Sequence, residues 1–465
     1  MSAATSSKTF GPKLIIAWAM SVVAPILIYL TPTNELYTPT MRTFLMISVT
    51  AILMIAFENV PTAAVTFLMP AAYVIFGVCT PDMAWVAWTK PVFWMVVGAL
   101  LLVNILSTSG ILMRISYSIL KVFGKSYRRI LISIAIIGVV LNVILFANAY
   151  VLLAALAVGL CDALDIKKMS KEGAGIFLIA AISGIIPGGF CYGSNLFMVQ
   201  AYWSSVVETH IGWAEFTVFM LPYMIYFVLA VLLVTLLYRS ERDMDSRAYA
   251  AEKLKELGTM TGNEKKAAAW IAILFAYVMY CGFTGGDCTM SFIIIPGLMM
   301  LPGIGCGDGK NVKNLDFTFI LFIASCMTIG FVAGSLNFGQ LVSTLSAPMV
   351  ASTSPTVLTI ALYWINVILN FLLTPMAIMA GFTSTFTQIA VDAGMNPLVV
   401  YAVEFLGEDQ ILFPYEYALY LLYFSFGFVS MKEFIKYFGL KMILGFVCLC
   451  VIFLPFWKLC GLLMM

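Results

Sequence analysis

Long apolar segments, separated by short polar ones, cover almost the whole chain. Barrel strands would be segments of about 10 alternating residues, whereas these windows come close to the ~20 residues with which a helix spans a bilayer. The pattern therefore predicts an all-α polytopic membrane protein with about 11 transmembrane helices. The apolar windows are 12–30, 43–57, 60–78, 91–110, 174–208, 215–238, 267–283, 289–302, 316–336, 397–430 and 439–462.

Composition supports the membrane class and excludes others. The 465 residues are 62% hydrophobic and 10% charged, with a mean hydropathy of +1.01. The ten cysteines are scattered without a CxxC pair, and there is one histidine, so no metal cluster or resident cofactor is predicted. A net charge of +2 gives no indication of a nucleic-acid partner. The expected partners are the lipid bilayer and a small molecule.

The positions of the basic residues predict the topology. With the N-terminus in the cytoplasm, all of the 25 Lys and Arg residues except Arg42, Lys90 and Lys458 lie inside, Lys441 included. The C-terminus is then outside, and the protein is integral to the plasma (inner) membrane. The polar stretch 239–266 is predicted to be a cytoplasmic linker that contains a short helix.

Two short sequences repeat each other in the two halves of the chain, Leu141–Leu145 (LNVIL) and Ile365–Leu369 (INVIL). Each is followed by an apolar segment that Pro and polar residues interrupt, at 185–195 and at 411–417. Paired interrupted segments indicate the midplane binding site of a secondary transporter. We therefore expect an inverted two-fold repeat, with Asn142 and Asn366 bracing the helices rather than touching substrate.

The repeat divides the chain into five predicted parts. Residues 130–161 and 353–395 each have to enter and leave the membrane on one side, which predicts two re-entrant hairpins, and two broken helices follow them at 174–208 and 397–430. The parts are a first scaffold part (1–129), a first transport part (130–238), the linker (239–266), a second scaffold part (267–352) and a second transport part (353–465).

Helix ends at the membrane midplane supply the chemistry of such a site. Free backbone N–H groups and the positive end of the helix dipole attract an anion, while free carbonyl groups and side-chain oxygens hold a cation. No Lys or Arg occurs between Lys313 and Lys432, so helix ends rather than basic side chains are expected to bind the anion. The pattern favours an anion carrier.

At this point the chain resembles the divalent anion:sodium symporter family. The resemblance lies in residues 57–66 (FENVPTAAVT), 91–94 (PVFW) and 107–115 (STSGILMRI), and in the order of hairpin, broken helix, linker, hairpin and broken helix. It implies an elevator-type homodimeric carrier of dicarboxylates, tricarboxylates or sulfate, coupled to Na⁺ or to counter-exchange.

The family's motifs suggest which residues form the site. Each hairpin tip of the family reads Ser-Asn-Thr, where this chain has Ala-Asn-Ala at 147–149 and Thr-Pro-Met at 374–376. Asn148 therefore carries over as a substrate residue. The predicted substrate-binding residues are Asn148, Ser194, Asn195, Thr374, Pro414 and Tyr417, and glycines Gly188 and Gly189 are assigned to the coupling cation.

Carboxylates in the second half form the other candidate set. Intramembrane carboxylates are costly and indicate function. Glu408, Asp409 and above all Glu416, which lies inside the second break, are predicted to couple transport as Na⁺ ligands or proton carriers. Asp392 and Glu404 are expected near the outer surface.

Three alternatives remain at this stage. The acidic residues could instead bind a zwitterionic or cationic metabolite. An intramembrane enzyme is disfavoured because no HExxH or paired Asp motif is present, and a channel would need a continuous polar pore. We predict a carrier rather than an enzyme, with Na⁺ as a candidate coupling ion and no other metal.

Overall fold

A computed structural model describes residues 12–57, 60–145, 149–207, 211–240, 244–284, 289–371 and 373–464. These residues form α-helices and the turns between them, and within these ranges no β-strand occurs beyond an isolated bridge between Met395 and Met464. The predicted all-α class is confirmed.

The first predicted scaffold part consists of helices that begin at prolines or just after glycine. Pro39, Pro81 and Pro91 occupy first helical positions, where the missing N–H costs nothing. Gly110, with a φ of 89°, makes the 64° bend between the fifth and sixth helices. The helices are α1 (Pro12–Leu30), α2 (Pro39–Ala56), α3 (Thr62–Ile75), α4 (Pro81–Ala84), α5 (Pro91–Ser109) and α6 (Ile111–Phe123), with a 3₁₀ turn at Val86–Thr89.

The first predicted transport part contains a helix pair and then an interrupted helix. The interruption falls at 186–193, as the Pro and Gly residues there predict, because Pro187 cannot continue the hydrogen-bond ladder of the preceding helix. The helices are α7 (Tyr127–Ile144), α8 (Tyr150–Ala163), α9 (Lys171–Ile185), α10 (Pro187–Phe190), α11 (Ser194–Trp203), α12 (Trp213–Phe219) and α13 (Leu221–Leu237).

The linker contains the short helix that its sequence predicts. Arg114 fixes its end, since the guanidinium donates to the carbonyl oxygen of Gly258 at 3.0 Å and pairs with Glu264 at 2.8 Å. The linker and second predicted scaffold part hold α14 (Arg247–Leu257), α15 (Gly262–Thr284), α16 (Ser291–Leu298), α17 (Gly309–Lys313), α18 (Phe317–Ser335) and α19 (Phe338–Ser352).

The second predicted transport part repeats the order of the first. A helix pair is followed by a helix that stops at Glu408 and resumes at Ala418, so the interruption encloses the predicted break at 411–417. The helices are α20 (Pro355–Asn370), α21 (Pro375–Asp392), α22 (Pro397–Glu408), α23 (Ala418–Ser425), α24 (Met431–Cys448) and α25 (Leu454–Leu459), with a 3₁₀ turn at Pro414–Glu416 and a π-turn at Leu449–Phe453.

Breaks and bends shorten many of the apolar helices. Among the described residues, four are long and apolar enough to cross a membrane, or six if each bent pair is one span. Other apolar windows form helices of 10–17 residues, α8 and α20 of the hairpins among them. The four are Tyr127–Ile144, Lys171–Phe190, Phe317–Ser335 and Met431–Leu459, and the bent pairs are Phe93–Ser109 with Ile111–Phe123 and Trp213–Phe219 with Leu221–Leu237.

The repeated asparagines sit where each hairpin packs on its broken helix. Asn142 is buried, and its Nδ2 donates to the carbonyl oxygen of Ser183 at 3.0 Å, just before the first break. Asn366 is buried on α20, with its Cβ against Gly407 of α22. Asn142 therefore braces α7 against α9 through a hydrogen bond, as predicted, whereas Asn366 Nδ2 donates within its own helix, to the carbonyl oxygen of Leu362, and only packs on α22.

Candidate functional site

A cavity of about 500 Å³ lies between the predicted scaffold and transport parts. The two transport parts line it about equally, and α2, α3, α5 and α18 of the scaffold close the opposite side. Both breaks and the tip of the second hairpin contribute to its wall. The cavity therefore lies where the repeat predicts a site.

Two helix N-termini, one from each half, border this cavity. Ser194 and Asn195 open α11, and Thr374 precedes Pro375 at the start of α21. Asn195 Nδ2 also donates to the carbonyl oxygen of Gly188 at 3.1 Å, which holds the two sides of the first break together. The free N–H groups and positive dipole ends of two helices make this wall suited to an anion.

The C-terminus of α22 contributes the opposite charge. Glu408 lies on the cavity wall with 3% of its surface exposed, and its Oε1 has no hydrogen-bond partner among the residues that the structure describes. Asn370, at the tip of the second hairpin, donates to the carbonyl oxygen of Glu408 at 2.9 Å. An unpaired carboxylate oxygen in a buried position is costly unless it binds a cation.

Asp409 is next to Glu408 but differs from it in having a full set of partners. Its Oδ2 is 2.6 Å from Lys441 Nζ and accepts from Tyr226 at 2.9 Å, while Tyr420 donates to Oδ1. Lys441 was counted among the basic residues on the cytoplasmic side, which stays a prediction, but its burial inside the protein was not expected. Because α24 begins at Met431, Lys441 lies about 15 Å along the helix, and it is fully buried.

Glu416 does not reach the cavity wall. Its two carboxylate oxygens accept from the backbone N–H groups of Leu412 and Phe413, at 3.0 and 3.2 Å. The side chain thus satisfies backbone donors that the break leaves free. The structure places it as a brace within the break, whereas the sequence predicted a coupling group.

Glu404 was expected near the outer surface, and this expectation was wrong. The residue is fully buried one turn before Glu408 on α22, and its carboxylate accepts from Thr383 of α21 at 3.0 Å. It is buried because α20 and α21 both pack on α22. Asp392 is exposed, as predicted, and accepts from Gln388.

Most of the predicted site residues share the cavity. Gly188, Pro414 and Glu416 belong to the breaks without lining the cavity, and Asn148 lies outside the described residues. The predicted residues on the cavity wall are Gly189, Ser194, Asn195, Thr374, Glu408, Asp409 and Tyr417.

The cavity wall also contains residues that sequence reasoning missed. Tyr150 and Tyr223 line it, and Asp316 and Thr318 lie at its exposed edge. Asp316 could have been found, because an Asp directly before an apolar run is an N-cap signal, and its side chain does accept from the N–H of Phe319. Nothing in the sequence distinguished the two tyrosines from the other nineteen.

The described residues hold no group of three or more His, Cys, Asp or Glu side chains arranged for a metal ion. A cation in this cavity would instead meet the Glu408 carboxylate, which lies at the C-terminal, negative end of α22. Such oxygen ligands suit a hard monovalent ion or a proton.

Comparisons with known proteins agree with this geometry. A family model, described as the sodium:sulfate symporter transmembrane region, matches residues 13–463. The chain is also similar to the crystal structure of the YdaH transporter of Alcanivorax borkumensis, with a TM-score of 0.53 and 12% identity over 97% of this chain and 99% of that one. At that identity the likeness shows the fold alone. None of the curated proteins compared matches the chain.

Proposed function

Because the chain belongs to the sodium:sulfate symporter family and is a secondary transporter of anions, we propose that it carries a small divalent anion by an elevator movement. The family confirms the predicted resemblance and the choice of a transporter over an enzyme. The proposed cargo is sulfate or a small dicarboxylate, moved together with a coupling cation.

The observation that carries the proposal is the convergence of two helix N-termini on one cavity. The starts of α11 and α21 come from opposite halves of the chain, and both border the same space. Neither Lys nor Arg is among its lining residues. The anion would therefore be held by backbone N–H groups and by the polar side chains Ser194, Asn195 and Thr374.

Charge explains why a cation has to accompany the anion. At an effective dielectric constant of about 20, a dianion about 4 Å from an ionised Glu408 would be repelled by about 8 kcal/mol. The neighbouring Asp409 adds little, since Lys441 neutralises it at 2.6 Å. Binding of Na⁺ or H⁺ to Glu408 removes the repulsion, so anion and cation bind together.

The position of the cavity supports an elevator mechanism. One wall belongs to the predicted scaffold parts and the other to the transport parts, so sliding one against the other would carry the site across the membrane. With the N-terminus in the cytoplasm, the exposed edge at Asp316 and Thr318 faces inward, because it follows the basic turn that contains Lys310 and Lys313. We further propose a homodimer, as the resemblance implies, which light scattering in detergent would test.

Transport by the purified carrier in proteoliposomes tests the proposal. Labelled sulfate and succinate are supplied under an imposed Na⁺ or pH gradient, and uptake is compared between wild type, Glu408→Gln and Glu416→Gln. Glu408→Gln should lose uptake driven by the gradient but keep exchange of internal for external anion. Glu416→Gln is the matched control, because Glu416 does not line the cavity. Unchanged gradient dependence in Glu408→Gln would contradict the role of Glu408.

The acidic residues of the wall favour one other cargo class. Asp316 and Glu408 line a cavity without basic side chains, which would also suit a zwitterion whose ammonium group takes the place of the coupling cation. Competition separates the two cases. Excess sulfate or dicarboxylate blocks uptake if the cargo is an anion, whereas only amino acids or betaines block it if the cargo is a zwitterion.

A further inference from the structure

Lys441 lies beside the C-terminal end of α22, where the second break begins. Lys441 Nζ donates to the backbone carbonyl oxygen of Asp409 at 2.6 Å and pairs with the carboxylate of the same residue at 2.6 Å. The hydroxyl oxygens of Tyr226 and Tyr420 surround that carboxylate. The side chain of Lys441 is fully buried.

The oxygen atoms around this ammonium group are of the kind that binds an alkali cation. They are a helix C-terminal carbonyl and a carboxylate, both at the negative end of a half-helix, where transporters coordinate Na⁺. The rings of Tyr420 and Phe438 complete the surroundings, with their centroids 5.4 and 5.0 Å from Nζ. These groups therefore form a cation site, and the cation that fills it is the ammonium group of Lys441, which is part of the chain.

We propose that Lys441 is a tethered cation, which permanently fills a site that would otherwise bind a coupling Na⁺. The inference rests on the proposed function and extends it to stoichiometry. Since the ammonium group cannot dissociate from the chain, the Asp409 position contributes no transported ion. Glu408 is then the one carboxylate of the second break that exchanges its cation during the cycle.

The first half supplies the comparison. At the end of α9, the residues that border the cavity are Gly184, Ile185 and Ile186, without a carboxylate or a lysine. A buried ion pair is weak evidence for stabilisation of a fold, because desolvation offsets most of its attraction. The presence in one half only of a cavity-wall carboxylate, Asp409, that is paired with a buried lysine is better explained by a role in charge compensation.

Chemical rescue by Na⁺ tests the proposal on the full-length purified carrier. Thermal unfolding is followed in detergent while NaCl replaces choline chloride at constant ionic strength, so no transported anion is needed. In Lys441→Ala the space left by the side chain is open to Na⁺, and 150 mM NaCl should raise Tm by about 2 °C or more beyond its effect on wild type. In reconstituted Lys441→Ala, the number of Na⁺ ions per anion should rise by one.

Two further variants make the result specific. Lys441→Met fills the space with an uncharged side chain and should show no added response to Na⁺. Asp409→Asn/Lys441→Ala removes the carboxylate and should lose the response that Lys441→Ala gains. The proposal is overturned if Lys441→Ala responds to Na⁺ as wild type does, or if the double variant keeps the added response. It is equally overturned if Lys441→Ala cannot be recovered folded in either salt, because Na⁺ then does not replace the ammonium group.

These outcomes are separate from those of the proposed function. A protein that moves no anion in proteoliposomes can still gain a Na⁺ response in Lys441→Ala, which would support the tethered cation and contradict the assigned transport. If the carrier moves anions but Lys441→Ala responds to Na⁺ as wild type does, the assigned transport is supported and the tethered cation is contradicted.

Discussion

Gly138 of the first hairpin packs closely on the first broken helix, and its replacement tests how the hairpin positions the site. A Cβ at Gly138 of α7 would lie 2.4 Å from the carbonyl oxygen of Ser183 on α9 and 2.5 Å from the Cβ of Ser183. Ordinary contacts begin at 3.4 Å. Gly138→Ala therefore has to move the two helices apart by about 1 Å, since packed interiors leave no spare room.

The cost follows from the contacts that this movement changes. Overpacking of this kind costs about 1–3 kcal/mol. The same shift lengthens the 3.0 Å bond from Asn142 Nδ2 to the Ser183 carbonyl beyond hydrogen-bonding distance. Nδ2 keeps its bond to the carbonyl oxygen of Gly138 on its own helix, but its second N–H loses its acceptor, and a buried donor without an acceptor costs about 1–3 kcal/mol. Replacing a helical glycine by alanine returns about 0.5–1 kcal/mol. We expect a net loss of about 3 kcal/mol of folding free energy.

Thermal unfolding in detergent and anion uptake in proteoliposomes measure the effect. Gly138→Ala should lower Tm by about 3 °C or more and reduce uptake by at least about tenfold, because a 1 Å misplacement in a site is that costly. Gly297→Ala is the matched control, since Gly297 is also helical but its Cβ would meet nothing within 4 Å. A Gly138→Ala protein as stable and active as Gly297→Ala would refute the reasoning.

Three further variants have defined outcomes. Asn195→Ala loses a polar group of the anion wall and its bond to Gly188, so the KM for the anion should rise by about tenfold, the effect of ~1.4 kcal/mol. Glu416→Ala leaves two backbone N–H groups of the break without their acceptor and should lower stability by about 1–3 kcal/mol while the Na⁺ or pH dependence of uptake stays as in wild type. The hydrogen bonds from Arg114 lower the pKa of Glu264 at the end of the linker. The stability that this pair contributes is therefore present above the unfolded pKa of about 4.3 and is lost as pH falls through the lower folded pKa. The Tm difference between wild type and Arg114→Met should accordingly be constant from pH 7 to pH 5 and shrink in more acidic buffer.

The breaks were predictable because they depend on local chemistry. Pro187 and Pro414 cannot continue a helical ladder, and both interruptions fall where the sequence places Pro beside polar residues. The tip of the second hairpin was predictable for a related reason, since Pro375 can only begin a helix and not extend the preceding one. The positions of proline in the sequence therefore predicted where the helices around the site are interrupted.

The burial of Lys441 was not predicted because apolar windows locate the hydrophobic run and not the start of the helix. The helix begins earlier, at a capping box in which Ser430 Oγ accepts from the N–H of Glu433 and Glu433 Oε2 accepts from the N–H of Ser430. That Ser-x-x-Glu signal is present in the sequence. Counted from it, Lys441 falls in the third turn of α24, well inside the helix.

Glu404 and Glu416 show the limit of sequence reasoning more clearly. Both are acidic residues within or beside an apolar run. From the sequence alone, Glu404 was expected near the surface and Glu416 was expected in the site. The position of Glu404 depends on tertiary packing, because α20 and α21 cover it. The position of Glu416 depends on where the backbone N–H groups of Leu412 and Phe413 point. Neither determinant leaves a pattern in the sequence.

The two halves share a backbone plan and differ in the charge at the end of the first half-helix. In the first half, the α9 end offers only its carbonyl groups to the cavity, through small and apolar residues such as Gly184. In the second, Asp409 and Lys441 cancel each other and leave Glu408 as the group whose charge can change. If the site moves across the membrane, its net charge then changes by one unit according to whether Glu408 has bound its cation. Under the proposed function, helix N-termini from both halves form the anion site, while the coupling cation would be bound by the second half alone.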